Sequence, residues 1–207
     1  RLKAIADDCD PVLVLTTGKV SAIAESMFKE DSTLTGLHWL SVDKALIDEK
    51  TVNSTGLGLA DGGRLPLPEK ESLAFLQYTS GSTGNPKGVM VTHGNLLYNE
   101  EMISAGMQFS ADEVFVSWLP LFHDMGLIGM TLQPFVLGVT AVFMSPAAFL
   151  QKPVRWLKAV SDYKGTVICA PNFAYELCVN QISIDQRNGL DLSSLTHALS
   201  GAEAVRA

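Results

Sequence analysis

The segment Tyr78-Thr79-Ser80-Gly81-Ser82-Thr83-Gly84-Asn85-Pro86-Lys87-Gly88 holds the residue types from which a phosphate cradle is built. Gly81, Gly84 and Gly88 let the backbone take positive φ and approach a ligand closely. Thr79, Ser80, Ser82 and Thr83 supply hydroxyl donors beside exposed N–H groups, and Lys87 adds a mobile positive charge. The chemistry this suits is the binding and screening of phosphate oxygens. A polar surface turn shares the composition but not the ordered array ending in Pro-Lys-Gly. The P-loop of kinases and motor ATPases is excluded: it needs Gly-Lys-Ser/Thr running straight into a helix, and here Pro86 precedes Lys87 while Gly88-Val89 follows it.

The elements that must position this loop alternate between short apolar runs and helical patterns, which predicts an α/β fold with parallel-rich sheets and crossover helices. Strands are expected at 12–15, 37–40, 73–78, 89–91, 114–118, 139–144, 166–170 and 195–200, and helices at 19–28, from a Thr92 cap to 107, from Pro153, and from Asn172. Periodicity fades between Asp48 and Pro68 into Gly, Asn, Thr and Pro, as in a surface connection. The expected organisation is a partial first α/β subdomain over residues 1–70 and a second, loop-bearing α/β subdomain over 71–207.

The chain has 207 residues, 47% of them hydrophobic and 18% charged, which excludes disorder. A net charge of −7 argues against nucleic acid as a partner but not against a nucleotide site. The stretch from Met125 to Gln151 has no charged residue, yet its glycines and prolines fit a buried helix ending near Gly138 followed by a strand better than a membrane span. Cys9, Cys169 and Cys178 lack metal-binding spacing and are expected to be free thiols in a cytoplasmic, reducing compartment; no protein metal site is expected. The chain opens without Met and stops at Ala207 just after an apparent strand, so both ends are expected to be cuts inside a larger protein.

Thr79 to Gly88 resembles the phosphate-loop signature of the adenylate-forming superfamily, which includes acyl-CoA synthetases, luciferases, peptide-synthetase adenylation domains and fatty acyl-AMP ligases. Trp118 to Leu127, Pro171 to Leu177 and Gly201 to Val205 support the resemblance, and with Met144-Ser145-Pro146 and Phe149-Leu150 they are most similar to the acyl-AMP ligase branch. Ala204 stands where many relatives have Pro. The resemblance covers the chain from about Leu73 and, more weakly, the residues before it. It implies part of the large N-terminal domain of a ligase. That ligase would join a carboxylic acid, here a fatty acid, to AMP from ATP with Mg²⁺, then pass the acyl group to the phosphopantetheine thiol of an acyl carrier protein. An acyl-CoA or aryl-acid ligase and a non-catalytic nucleotide-binding module are the alternatives.

Residue by residue, the resemblance implies that Thr79, Ser80, Gly81, Ser82, Thr83, Gly84 and Lys87 bind the phosphates. It places His123 by the acyl carboxylate and α-phosphate, although His123 also sits where it would cap the next helix. Asp124 reads as a carboxylate at that helix's N-terminus. Gly201, Ala202 and Glu203 resemble the segment along the adenine ring. Asn172 and Phe173 resemble the acyl pocket wall, with core packing as the other reading of Phe173. The superfamily's acidic Mg²⁺-holding turn, ribose-binding Asp and late lysine are not among these residues, so catalysis by this chain alone is not expected.

Overall fold

The computed structural model describes residues 2–29, 32–45, 67–79 and 86–205. The connection expected at 48–68 and the centre of the glycine-rich loop, residues 80–85, lie almost wholly outside them. The chain divides into two compact units, Arg1–Asn95 and Leu96–Ala207.

In the first unit, β1 (Val14–Thr16) and β2 (Trp39–Ser41) pair in parallel, with the helix Gly18–Met27 between them in sequence. A helix at Leu2–Cys9, without a counterpart in the sequence expectations, precedes them. β3 (Leu73–Thr79) and β4 (Lys87–Thr92) form an antiparallel hairpin in which Thr79 pairs with Lys87. The Tyr78 hydroxyl donates to Asp8 at 2.5 Å, tying this hairpin to the first helix. That bond helps explain why the hairpin belongs to the first unit, whereas the sequence expectation divided the chain at residue 70.

The hairpin leads into the helix His93–Met107. Its entry is capped as expected: the Asn95 N–H donates to the Thr92 hydroxyl at 3.1 Å, and the Thr92 N–H donates to the Asn95 side-chain oxygen at 3.1 Å.

The second unit is a four-stranded, all-parallel sheet in the order β6-β5-β7-β8, formed by Thr140–Phe143, Val114–Ser117, Val167–Ala170 and His197–Ser200. β7 is buried at every residue, as a parallel strand covered on both faces must be. One face packs against Trp156, fully buried on the helix Val154–Tyr163, whose indole N–H donates to the Val116 carbonyl at 3.2 Å. Trp118 stacks on Phe149 with ring centroids 4.2 Å apart, and both meet Trp156 edge-on.

The charge-free stretch from Met125 resolves into a π-helix (Met125–Leu132), a short α-helix (Gln133–Leu137) and β6. Gly138 ends the helix with φ 69°, a left-handed conformation that glycine takes without strain. The π-helical turn was not anticipated. Among the described residues no helix is long and apolar enough to cross a membrane.

Candidate active site

The order of the sheet determines where a ligand can sit. From β5 the chain leads to β6 on one side, and from β7 it leads to β8 on the other, while β5 and β7 are neighbours. In such sheets the loops leaving the two adjacent strands diverge and open a crevice beyond their carboxyl ends. The loop after β5 carries His123 and Asp124, the turn after β7 carries Asn172 and Phe173, and the loop after β8 carries Gly201, Ala202 and Glu203.

From this end an apolar cavity of about 530 Å³ runs along one face of the sheet. Phe115, Val167, Cys169 and Leu199 form its sheet wall, while Ile103 and the π-helix residues Met125, Ile128, Gly129 and Met130 cover it. Its far end is closed by Met107 and Phe109; Phe109 meets Phe115 and His197 edge-on at 5.2 and 5.1 Å, and His197 Nε2 lies 2.9 Å from the Met107 carbonyl. At the crevice end stand His123, Asp124 and Ala202. A mostly apolar lining with a few polar side chains, Asn99, His123 and Asp124, suits an amphiphile with a polar head.

Gly126 lets the loop after β5 fold this tightly: a Cβ there would lie 2.3 Å from the Pro120 carbonyl oxygen. The Asp124 carboxylate accepts from the Met125 N–H at 2.7 Å, the helix-start role expected for it. His123 Nδ1 lies 2.6 Å from the same carboxylate oxygen and 3.2 Å from the Met125 N. The Met125 N–H donates to Nδ1, which is thus taken up at the helix start, and Nε2 has no partner among the described residues and is the nitrogen left to meet a ligand. The imidazole is half exposed at the cavity end, so it combines helix-start contacts with access to the crevice.

Gly201 abuts Met125, whose sulfur lies 3.4 Å from where a Cβ would be, and its N–H donates to the Ala170 carbonyl at 3.2 Å. Ala202 has φ 67°, a left-handed conformation that costs a non-glycine residue about 1 kcal/mol. The Glu203 carboxylate accepts from the Phe173 N–H at 2.7 Å, and so caps the helix Asn172–Gln181 from another loop.

Asn172 donates from its amide to Glu176 at 2.7 Å within its own helix, and Phe173 meets Trp118 edge-on at 6.1 Å. Neither lines the apolar cavity; its walls come from Ile103, Met107, Phe109, Phe115 and Ile128. Those residues carry no motif, and their only sequence signal was apolar periodicity. The indole N–H of Trp118 is buried without a hydrogen-bond partner among the described residues.

Behind the cavity, Glu100 is buried on the helix His93–Met107 at 1% exposure. The Gln133 amide nitrogen faces it, donating to Glu100 Oε2 at 2.6 Å and to the Glu100 carbonyl at 3.1 Å, while the amide oxygen accepts from the Ser104 hydroxyl at 2.7 Å. Glu100 Oε1 has no partner among the described residues, and burial raises the carboxyl from its ordinary 4.5 to about 7. All three cysteines are free, and burial pushes the Cys169 and Cys178 thiols up to about 11, which keeps them protonated and inert.

In the first unit, Thr79 and Lys87 face each other as the last pair of the β3–β4 hairpin, with the seven residues 80–86 between them in sequence. A Cβ on Gly88 would come within 3.0 Å of the Tyr78 ring, which explains a glycine where the strand leaves the loop. Lys87 is exposed and makes no ion pair among the described residues. The remaining phosphate-loop candidates Ser80, Gly81, Ser82, Thr83 and Gly84 lie outside the described residues.

The family model described as "AMP-binding enzyme" matches residues 1–207. A medium-chain-fatty-acid–[acyl-carrier-protein] ligase, JamA of Moorena producens, is 39% identical over 207 residues, 100% of this chain and 33% of its own length. A long-chain-fatty-acid–AMP ligase, FadD26 of Mycobacterium marinum, is 39% identical over 211 residues, covering 99% of this chain and 34% of its own. The crystal structure of a fatty acyl-adenylate ligase from L. pneumophila, in complex with acyl adenylate and pyrophosphate, superposes with a TM-score of 0.80 at 38% identity over 99% of this chain and 33% of that chain. The chain thus spans about a third of the length of the relatives it matches.

Proposed function

The chain belongs to the AMP-binding enzyme family, and from that premise we propose that it is the nucleotide-loop and acyl-pocket portion of a ligase that activates a fatty acid as acyl-AMP and passes the acyl group to a carrier-protein thiol. The observation that carries this reading is the apolar cavity of about 530 Å³ with His123, Asp124 and Ala202 at its crevice end. An alkyl chain would lie against Ile103, Phe115 and Ile128, its carboxylate directed toward the crevice where His123 presents Nε2.

ATP fits what the hairpin offers. Thr79 and Lys87 are paired at the mouth of a glycine- and hydroxyl-rich loop, and Lys87 has no competing acid among the described residues. Its charge would screen phosphate oxygens as a carboxylate oxygen bonds to the α-phosphorus and pyrophosphate departs with the electron pair of the broken P–O bond. Among the described residues no three His, Cys, Asp or Glu side chains stand together to hold a metal, so these residues do not fit a protein-ligated Mg²⁺ and no step is assigned to it. We place the adenine against the backbone of Gly201 and Ala202, with Asn172 and Phe173 at the crevice beside Trp118. A reducing cytoplasm suits the three free thiols.

The test is fatty-acid-dependent exchange of pyrophosphate into ATP by the full-length protein, followed by acyl transfer to a phosphopantetheinylated carrier protein or to coenzyme A. Exchange with medium or long alkyl acids and transfer to the carrier protein are expected. Exchange with aryl acids alone, or none with any carboxylic acid, overturns the reading, and transfer to coenzyme A alone moves the protein to the acyl-CoA branch.

A further inference from the structure

We propose that Glu203 is a positioning residue, acting through the hydrogen bond its carboxylate makes to the turn after β7 and not through contact with a ligand. This rests on the proposed nucleotide role of the loop that carries it. The loop from β8 is held to the β7 side at three points. The Tyr175 hydroxyl donates to the Leu199 carbonyl at 2.7 Å, the Gly201 N–H donates to the Ala170 carbonyl at 3.2 Å, and Glu203 Oε1 accepts from the Phe173 N–H at 2.7 Å.

Between the second and third points lies Ala202, left-handed at φ 67° and lining the crevice end of the cavity. Only two peptide bonds, Gly201–Ala202 and Ala202–Glu203, separate the second anchor from the third. Without the third anchor, no bond among the described residues on the C-terminal side of Ala202 offsets its unfavourable φ, and the residue relaxes to an ordinary conformation. The backbone atoms that would face the nucleotide then leave their places.

Glu203 also serves the helix it touches. The residue before that helix is Pro171, which has no side-chain oxygen to offer, and no side-chain cap bond is made from that position. The Phe173 N–H is one of the amides a helix start leaves without an intrahelical partner. A carboxylate brought from the β8 loop fills the gap and adds a favourable negative charge at the helix N-terminus. One bond therefore fixes both the turn beside Trp118 and the loop across from it. The carboxylate reaches the amide from two methylenes away, so the requirement is for an accepting oxygen at that reach.

If the loop must be in its left-handed form to bind nucleotide, losing the anchor lowers the competent fraction and weakens apparent affinity by that fraction. The experiment compares wild type, Glu203→Ala, Glu203→Gln and Glu203→Asp in the full-length protein. It reads the ATP dissociation constant by calorimetry and hydrogen exchange of the Phe173 amide. In Glu203→Ala, ATP binding is expected to weaken about tenfold, matching the loss of one charge-assisted hydrogen bond, and the Phe173 amide to exchange faster. Glu203→Gln, which keeps an accepting oxygen at the same reach, should recover most of both; Glu203→Asp, charged but one methylene shorter, should not. Adding Ala202→Gly, which removes the penalty on positive φ, should shrink the effect of Glu203→Ala on ATP binding.

Rescue by Asp but not Gln would mean that the charge itself meets a ligand or metal, and overturns the proposal. So would faster Phe173 exchange with unchanged ATP affinity, or unchanged exchange in Glu203→Ala. Neither readout needs a fatty acid, so failure of the acyl-ligase reading in the exchange assay is a separate result.

Discussion

Replacing Glu100 with Gln tests the buried acid behind the cavity through the pH dependence of stability. Glu100 is 1% exposed, one of its oxygens has no partner among the described residues, and burial raises its carboxyl from 4.5 to about 7. Below about pH 4.5 the group is protonated in both folded and unfolded chains and contributes no difference. Between 4.5 and about 7 the unfolded chain releases the proton while the folded chain keeps it, so stability falls as pH rises, and above 7 the loss levels off. At about 1.4 kcal/mol per pH unit, the full shift amounts to about 3 kcal/mol. Glu100→Gln has no proton to release. Its level of stability depends on how the new amide is accommodated, but this part of the pH slope must vanish. Urea unfolding of full-length wild type and variant at pH 5 and pH 8, followed by tryptophan fluorescence from Trp118 and Trp156, cancels every other titrating group in the difference. The wild type should lose about 2–3 kcal/mol more than the variant across that range. Equal losses would refute the reasoning, and would mean that water or a shift of Gln133 solvates the carboxylate.

Lys87→Ala in the full-length protein should lower ATP affinity or the adenylation rate roughly tenfold or more, the value of one charge-assisted phosphate contact at about 1.5–3 kcal/mol; unchanged ATP dependence would mean the loop works through backbone N–H groups alone. Gly126→Ala puts a methyl carbon 2.3 Å from the Pro120 oxygen, so the loop bearing His123 must move, at a cost of about 1–3 kcal/mol in unfolding free energy and with a slower adenylation rate. Phe109→Ala opens the far end of the cavity and should shift preference toward longer acids across a fatty-acid series with ATP affinity unchanged; a parallel Phe173→Ala, read in the same series, shows whether the turn after β7 also senses chain length.

Much of this was legible because the signals are local. The Thr92–Asn95 cap, the Gly138 stop and the uniformly apolar β7 each state a requirement that neighbouring residues satisfy, and the strands and helices expected there are present. The proposed phosphate loop stands out in the sequence because glycine, hydroxyl and lysine occur there in a fixed order. The cavity was not legible in the same way. Ile103, Phe109, Phe115 and Leu199 come from separate elements and are ordinary core residues in any local window; only the sheet order brings them together. Glu203 shows the same limit: its partner is an amide 30 positions away, and no spacing rule connects a loop carboxylate to a distant helix start.

The π-helix draws these features together. At 3.6 residues per turn, three consecutive residues of an α-helix spread over about 200°, too wide an arc for all of them to face one cavity. Ile128, Gly129 and Met130 are consecutive, and all three line it. The wider turn permits this: the Gln133 N–H bonds to the Ile128 carbonyl five residues back, and the Thr131 hydroxyl donates to the Gly126 carbonyl, also five back, at 2.8 Å. π-Turns are less favourable than α-turns and are found mostly where a site needs them. Here the segment starts at Asp124, beside His123, and ends at Gln133, whose amide binds Glu100 on the opposite helix. The irregular turn thus links the histidine at the cavity to the buried acid behind it. A change that restored regular α-helix, by deleting one residue between Gly126 and Thr131, would rotate Gln133 away from Glu100 and re-aim the cavity lining in a single step.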